Sequence, residues 1–249
     1  MKDGSAPLIS VITVTYNAQD VIGKTLKSLE QQSFKDFEHI VVDGASSDKT
    51  IKLVNEASLP GIVVSEPDKG LYDAMNKGLK LANGRYLIFL NAGDAFHSVD
   101  TLSNYASEAL KDRDIIYGDT DIVDQNGSRI SARHLSVPDT LSERSFSDGM
   151  LICHQAFMVK RILAPEYNTS YRFSADYDWC VKCIKNSNPD TCVNLNQVTI
   201  DYLNAGLTDK NKMKSLKERF NIMAKHYGLW LTLLKHFPFI FRALKRGKV

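Results

Sequence analysis

Apolar residues fall along this chain in short runs separated by polar, turn-forming clusters. Leu8 to Val14 is rich in β-branched residues and ends at Thr15-Tyr16-Asn17, which predicts a first strand running into a polar turn. From Val21 to Gln32 the spacing becomes helical, with Val21, Ile22, Leu26 and Leu29 on one face. Phe37 to Val42 predicts a second strand closed by Asp43-Gly44, and Ser47 or Asp48 can cap a helix running through Glu56. Gly61–Ser65 predicts a third strand, 69–81 a helix, and Tyr86–Leu90 a fourth strand without alternation, as in a sheet covered on both faces. Strands alternating with helices over roughly ninety residues indicate βαβ units and a mostly parallel sheet.

Beyond Asp94 the rhythm changes. A helix over 100–111 leads to strands at 115–119, 121–124 and 128–134, the last two joined by the hairpin signal Gln125-Asn126-Gly127. Residues 151–159 predict a strand, 174–185 a helix and 191–203 an extended segment, so this half is mixed α+β. Residues 210–245 predict one or two amphipathic helices broken at Pro238. The expected division is a body over 1–209, with a nucleotide half at about 7–95 and an acceptor half at about 96–209, followed by a tail over 210–249.

Charge sharpens this division. The net charge of +2 hides 11 Lys/Arg against the single acid Glu218 in 210–249, leaving 20 basic and 28 acidic residues before it. An acidic body and a basic tail without a recognition motif argue against nucleic acid as a partner. Within 228–249, Leu229, Trp230, Leu233, Leu234, Phe237, Phe239 and Phe241 stand beside Lys235, Arg242, Lys245 and Arg246, a pattern suited to a helix in a membrane interface. A helix packed on the body or on a second subunit is the other arrangement, so a homodimer stays open. No apolar leader run and no span of about 18 uncharged residues occurs, and the expectation is a cytoplasmic protein, peripheral on the inner face of the membrane. Of the four cysteines, Cys180 and Cys183 share a helical pattern and read as a reduced, buried pair.

The candidate chemistry lies at the strand ends: Thr15-Tyr16-Asn17, Asp43, Glu66-Pro67-Asp68, and Asn91-Ala92-Gly93-Asp94. Right-handed crossovers bring such ends to one edge, where α/β sheets bind ligands. A carboxylate at Asp43 can accept from a base or ribose, and Tyr16 can stack on a base. Asp43-Gly44 and its serines also suffice for a turn and a helix cap. Neither Gly-rich dinucleotide nor P-loop phosphate cradles occur.

Taken together, Val11–Asn17, Val42–Thr50, Asp68–Gly78 and Phe89–Asp94 resemble the family 2 glycosyltransferases in order and spacing, and among them the bacterial enzymes building capsule, O-antigen and exopolysaccharide. The resemblance implies a GT-A fold, a nucleotide-diphosphate sugar donor, a saccharide or lipid-linked saccharide acceptor, a divalent metal (Mn2+ or Mg2+) and inversion at the anomeric carbon. It implies a donor site of Thr15, Tyr16, Asn17, Asp43, Asp68, Asn76 and Lys77, with Asp94 on the metal. The family pattern at 91–94 is Asp-x-Asp-Asp, of which only Asp94 remains here. In Ser174-Ala175-Asp176-Tyr177, Ala175 replaces the Glu of a Glu-Asp pair, and Asp176 falls on the catalytic base. His154-Gln155 resembles the family's His-Gln element, an expected contact to sugar or acceptor. Two competing functions remain: a sugar nucleotidyltransferase, which lacks its Gly-rich loop here, and a non-catalytic nucleotide-sugar-binding subunit.

Overall fold

The computed structural model describes residues 6–59, 61–204 and 212–235. The first half alternates β1 (Ile9–Thr15), α1 (Ile22–Glu30), β2 (Phe37–Asp43), α2 (Thr50–Glu56), β3 (Gly61–Ser65), α3 (Leu71–Leu81) and β4 (Tyr86–Phe89). The four strands pair in parallel in the order β3-β2-β1-β4, with Thr15 opposite Asp43 and Asp43 opposite Ser65. Successive side chains of a strand point to opposite faces. Accordingly Val41 packs with Ile22, Leu26 and Val54 of α1 and α2, while Ile40 and Val42 join Tyr72, Ala74 and Met75 of α3 in the main core. The sheet is sandwiched between helices, as its unbroken apolar strands require.

The second half extends the same sheet. It comprises β5 (Ala95–Phe96), α4 (Thr101–Ala109), β6 (Ile115–Val123), β7 (Arg129–Ala132), β8 (Phe157–Lys160), α5 (Ala175–Asn186), β9 (Cys192–Leu203) and α6 (Lys212–Tyr227). β8 joins antiparallel to β4, and the order continues β8-β6-β9-β5, with β7 paired to β6. The expected hairpin forms, and Gly127 takes φ +84 in its turn. Two details differ from the sequence pattern. The two-residue β5 was not anticipated, and the strand expected over 151–159 forms only at Phe157–Lys160. Ahead of it His154–Ala156 makes a 3-10 turn that buries both His154 and Gln155.

Helix α6 packs on the body: Ile222 and Met223 are buried, and His226 Nε2 reaches the buried Asp178 at 2.7 Å. Residues 229–235 are also helical, whereas Pro238 and most of the apolar-basic tail lie outside the described residues. Among the described residues no helix is long and apolar enough to cross a membrane. All four cysteines are free, and burial pushes the Cys180 and Cys183 thiols well above their usual range.

Candidate active site

The parallel strands deliver their polar ends to one edge. Asn17, at φ +46, locks the first two turns together: its N–H donates to Ser46 Oγ at 2.7 Å, and its Oδ1 accepts from the Ser47 N–H at 2.9 Å. Gly44 lies where the strand ends converge. A Cβ there would sit 2.6 Å from Asp68 Oδ2 and 3.3 Å from the Tyr16 ring, so a larger residue would displace the Asp68 carboxylate. Tyr16 is 65% exposed, its ring free to stack on a flat ligand. Thr15 Oγ1, at the end of β1, is buried without a hydrogen-bond partner among the described residues.

The carboxylates here have different tasks. Asp43 is fully buried; its Oδ2 accepts from the Ser46 N–H at 2.8 Å and the Ser65 hydroxyl at 2.6 Å, and Ser46 Oγ donates to Oδ1. It holds the turn shut from below. Asp68 is half-buried and accepts from the Gly70 N–H at 2.8 Å, bending the chain into α3. Lys77 reaches back to Glu66 Oε1 and the Pro67 carbonyl, both at 2.8 Å, and closes the 66–68 loop. Asn76 is turned away from the crevice. Its amide donates to the Tyr167 carbonyl at 3.0 Å and accepts from the Tyr167 N–H at 2.7 Å.

Tyr167 starts a chain of contacts that sequence reasoning missed. Its hydroxyl meets His154 Nε2 at 2.5 Å, its ring stacks on Trp179, and Tyr72 stacks on its other side with centroids 5.7 Å apart. The Tyr72 hydroxyl then donates to Asp176 Oδ1 at 3.1 Å, and the Tyr177 N–H donates to the same oxygen at 2.9 Å. Burial, with the Asp176 charge second, pushes the Tyr72 phenol well above its ordinary value, so it remains a donor. Asp176 Oδ2 takes no hydrogen bond from the described residues, and this half-buried carboxylate keeps one oxygen for a ligand. His154 is enclosed by Phe89, Tyr167 and Trp179, and burial lowers its pKa to about 4. It is a neutral packing residue that supports Tyr167. The signal for Tyr72 lay in its spacing from Asn76, one helical turn along α3. Asp178 sits on the opposite side of α5, paired with Lys182 at 2.6 Å and His226 at 2.7 Å, and anchors α6.

Asp94 faces inward. Its Oδ1 accepts from the Leu203 N–H at 2.9 Å and its Oδ2 from Gln155 Nε2 at 3.0 Å. Burial raises its pKa to about 7, against those hydrogen bonds and the Lys24 charge, which pull it down. Lys24 Nζ is itself buried without a hydrogen-bond partner among the described residues. The preceding Gly93 has φ +100, and a Cβ there would lie 2.7 Å from Leu203 Cδ2, so a side chain at 93 would be strained and would displace Leu203. Mg2+ is commonly held by one or two carboxylates, with substrate phosphates and water completing its shell. The turn offers one carboxylate, already engaged twice and next to an ammonium, and no three His, Cys, Asp or Glu converge among the described residues. Asn91 Oδ1, buried in the same turn without a hydrogen-bond partner among the described residues, leaves Asp94 and Asn91 as the oxygens that would hold a divalent ion whose other ligands are donor phosphates and water, and Gln155 positions Asp94 instead of reaching into the crevice.

Comparison with known proteins identifies the fold and the family. The family described as Glycosyl transferase family 2 matches residues 10–166. A PGL/p-HBAD biosynthesis glycosyltransferase of Mycobacterium tuberculosis is 35% identical over 192 residues, 73% of this chain and 72% of its own. The amylovoran biosynthesis glycosyltransferase AmsB of Erwinia amylovora is 32% identical over 201 residues, 74% and 65% of the two chains. Among solved structures, S. aureus TarS 1-349 aligns with a TM-score of 0.70 at 19% identity, covering 93% of this chain and 72% of TarS. A Pyrobaculum calidifontis mannosyltransferase, PcManGT, solved with GDP-Man and Mn2+, aligns with a TM-score of 0.60 at 18% identity over 93% and 74%. The fold is that of the GT-A glycosyltransferases, and the chain belongs to glycosyl transferase family 2.

Proposed function

We propose that this chain is an inverting glycosyltransferase that moves a sugar from a nucleotide-diphosphate sugar to a lipid-linked saccharide in cell-surface polysaccharide synthesis. The observation that carries this reading is the Tyr72–Asp176 hydrogen bond. It fastens a half-free carboxylate to the helix that follows the Asp68 loop. In the reaction, the acceptor hydroxyl oxygen forms a bond to the anomeric carbon as the bond from that carbon to the diphosphate oxygen breaks. The bonding electrons leave with the nucleotide diphosphate, and Asp176 Oδ2 takes the hydroxyl proton. Tyr16 stacks on the base, Asp68 faces the nucleoside, and the Thr15 hydroxyl meets the donor. A divalent ion held by Asp94 and Asn91 would neutralise charge building on the departing diphosphate.

Leu229, Trp230 and Leu234 are more than half exposed on the helical stretch after Gly228, and Lys235 follows. This supports a peripheral position on an anionic inner leaflet, where a lipid-linked acceptor would lie. Vesicle flotation of the full chain checks it: retention on anionic vesicles and release from neutral ones is the expected result.

The test of the reaction is nucleotide diphosphate release from a panel of nucleotide sugars, with and without EDTA. Release from one donor that EDTA abolishes is expected. Release that survives EDTA would mean that Asp94 stays bound to Gln155 and Leu203 and takes no metal. No release and no donor binding across the panel would contradict the transferase reading.

A further inference from the structure

A cavity of about 800 Å³ opens between the start of α3, the 169–173 segment and α6. Its lining combines two kinds of surface. Tyr72, Tyr171 and Phe173 supply aromatic rings, and Lys69, Arg172 and Lys214 supply positive head groups. The two carboxylates that also line it, Asp73 and Glu218, are occupied. Asp73 Oδ2 accepts from the Lys69 N–H at 3.0 Å. Glu218 accepts from the N–H groups of Arg172, Phe173 and Ser174 at 2.9, 2.8 and 3.1 Å. No ion pair or hydrogen bond holds the Lys69, Arg172 or Lys214 head groups among the described residues. Unpaired cations around a concave, ring-lined surface match a ligand that brings both negative charge and apolar sugar faces.

We propose that this cavity binds the acceptor, and that the acceptor is acidic: a saccharide whose carboxylate or phosphate meets Arg172, Lys214 and Lys69 while its rings lie on the aromatic residues. The proposal rests on the assignment of Asp176 as base, because Tyr72 both lines the cavity and donates to Asp176. Asp176 is not part of the lining; Tyr72 is the residue that joins the cavity to it. The nucleotide belongs elsewhere: Tyr16, Gly44 and Asp68 converge on one another and are not part of this lining. Because α6 contributes Lys214 and Glu218, the tail helix forms one wall of the site.

The test is binding to the full chain, read by ligand-observed NMR and calorimetry, with three probes: p-nitrophenyl glucuronide, p-nitrophenyl glucoside and geranyl diphosphate. Uridine and guanosine diphosphates report separately on the nucleotide crevice. At least one anionic probe is expected to bind about tenfold or more tightly than the glucoside, the scale of a charge-assisted hydrogen bond. Preference for the glucuronide would locate the charge on the glycan, and preference for geranyl diphosphate would locate it on a lipid carrier. The double variant Arg172→Gln/Lys214→Gln, with an unchanged melting temperature, should lose that advantage and keep its nucleotide diphosphate affinity. Equal affinity for charged and neutral probes would overturn the proposal. So would a variant that loses nucleotide diphosphate instead, since the cations would then serve the donor. Absence of nucleotide binding in the unmodified chain would count against Asp176 as a transferase base, yet leave the anionic-probe comparison readable.

Discussion

The Tyr72 hydroxyl donates a 3.1 Å hydrogen bond to Oδ1 of Asp176, joining residues 104 positions apart in sequence. Tyr72 sits just past the Asp68–Gly70 bend, and Asp176 sits in the first turn of α5. One contact therefore couples the loop at the nucleotide crevice to the carboxylate proposed to receive the proton. Tyr167, held by Asn76 and His154, stacks on Tyr72 and fixes its ring.

Tyr72→Phe keeps the ring and its stacking and removes only the hydroxyl. A hydrogen bond to a charged group is worth about 1.5–3 kcal/mol, so kcat should fall roughly ten- to a hundredfold if that bond orients Asp176 in the transition state. The donor KM should stay level, because the nucleotide crevice is untouched. A change confined to donor KM would show that Tyr72 serves nucleotide binding.

Asn76→Ala removes both hydrogen bonds to the Tyr167 backbone and leaves its N–H and C=O buried. A loss of about 2–4 kcal/mol is expected, several degrees in melting temperature. Donor affinity should change little. Weakened nucleotide binding at an unchanged melting temperature would restore Asn76 to the donor site.

Much of this arrangement was legible in the sequence, and the reasons it stopped short are specific. The strands of the first half were readable because each is an uninterrupted apolar run ending in a polar turn, which is how a buried parallel strand looks. β5 has two residues, too few for any periodicity. The segment 151–156 mimicked a strand because polar His154 and Gln155 sit among apolar neighbours, and only their partners Tyr167 and Asp94 explain their burial. Asn76 and Asp94 stood out as polar residues within the matched motifs. Their hydrogen bonds run to Tyr167, 91 positions away, and to Leu203, 109 positions away, which no local pattern encodes. The acceptor cavity was invisible for the same reason: its walls come from residues 69–73, 169–173 and 214–218.

Asp94 should leave a mark on stability as a function of pH. Its folded pKa of about 7 lies above the ordinary 3.8, so the folded state holds the proton more tightly. That contribution is complete below about pH 4 and is lost as pH rises through 7, by at most about 1.4 kcal/mol per pH unit. His39 and His154, lowered by burial from 6.5 to about 4, act the opposite way and lose their contribution as pH falls through that range. Subtracting the melting curve of Asp94→Asn from that of the unmodified chain isolates Asp94. The difference should favour the unmodified chain more at pH 5 than at pH 8. A flat difference would mean that Asp94 is ionised throughout, held by Lys24.

The central assignment is Asp176 as the base, and Asp176→Asn addresses it with almost no change in shape. With the donor found in the nucleotide-sugar panel, calorimetry should give the same affinity for the variant, and nucleotide diphosphate release should fall by about a hundredfold or more, the usual scale of general-base catalysis. Release at the unmodified rate would remove Asp176 from the chemistry and leave Tyr72 holding a structural carboxylate.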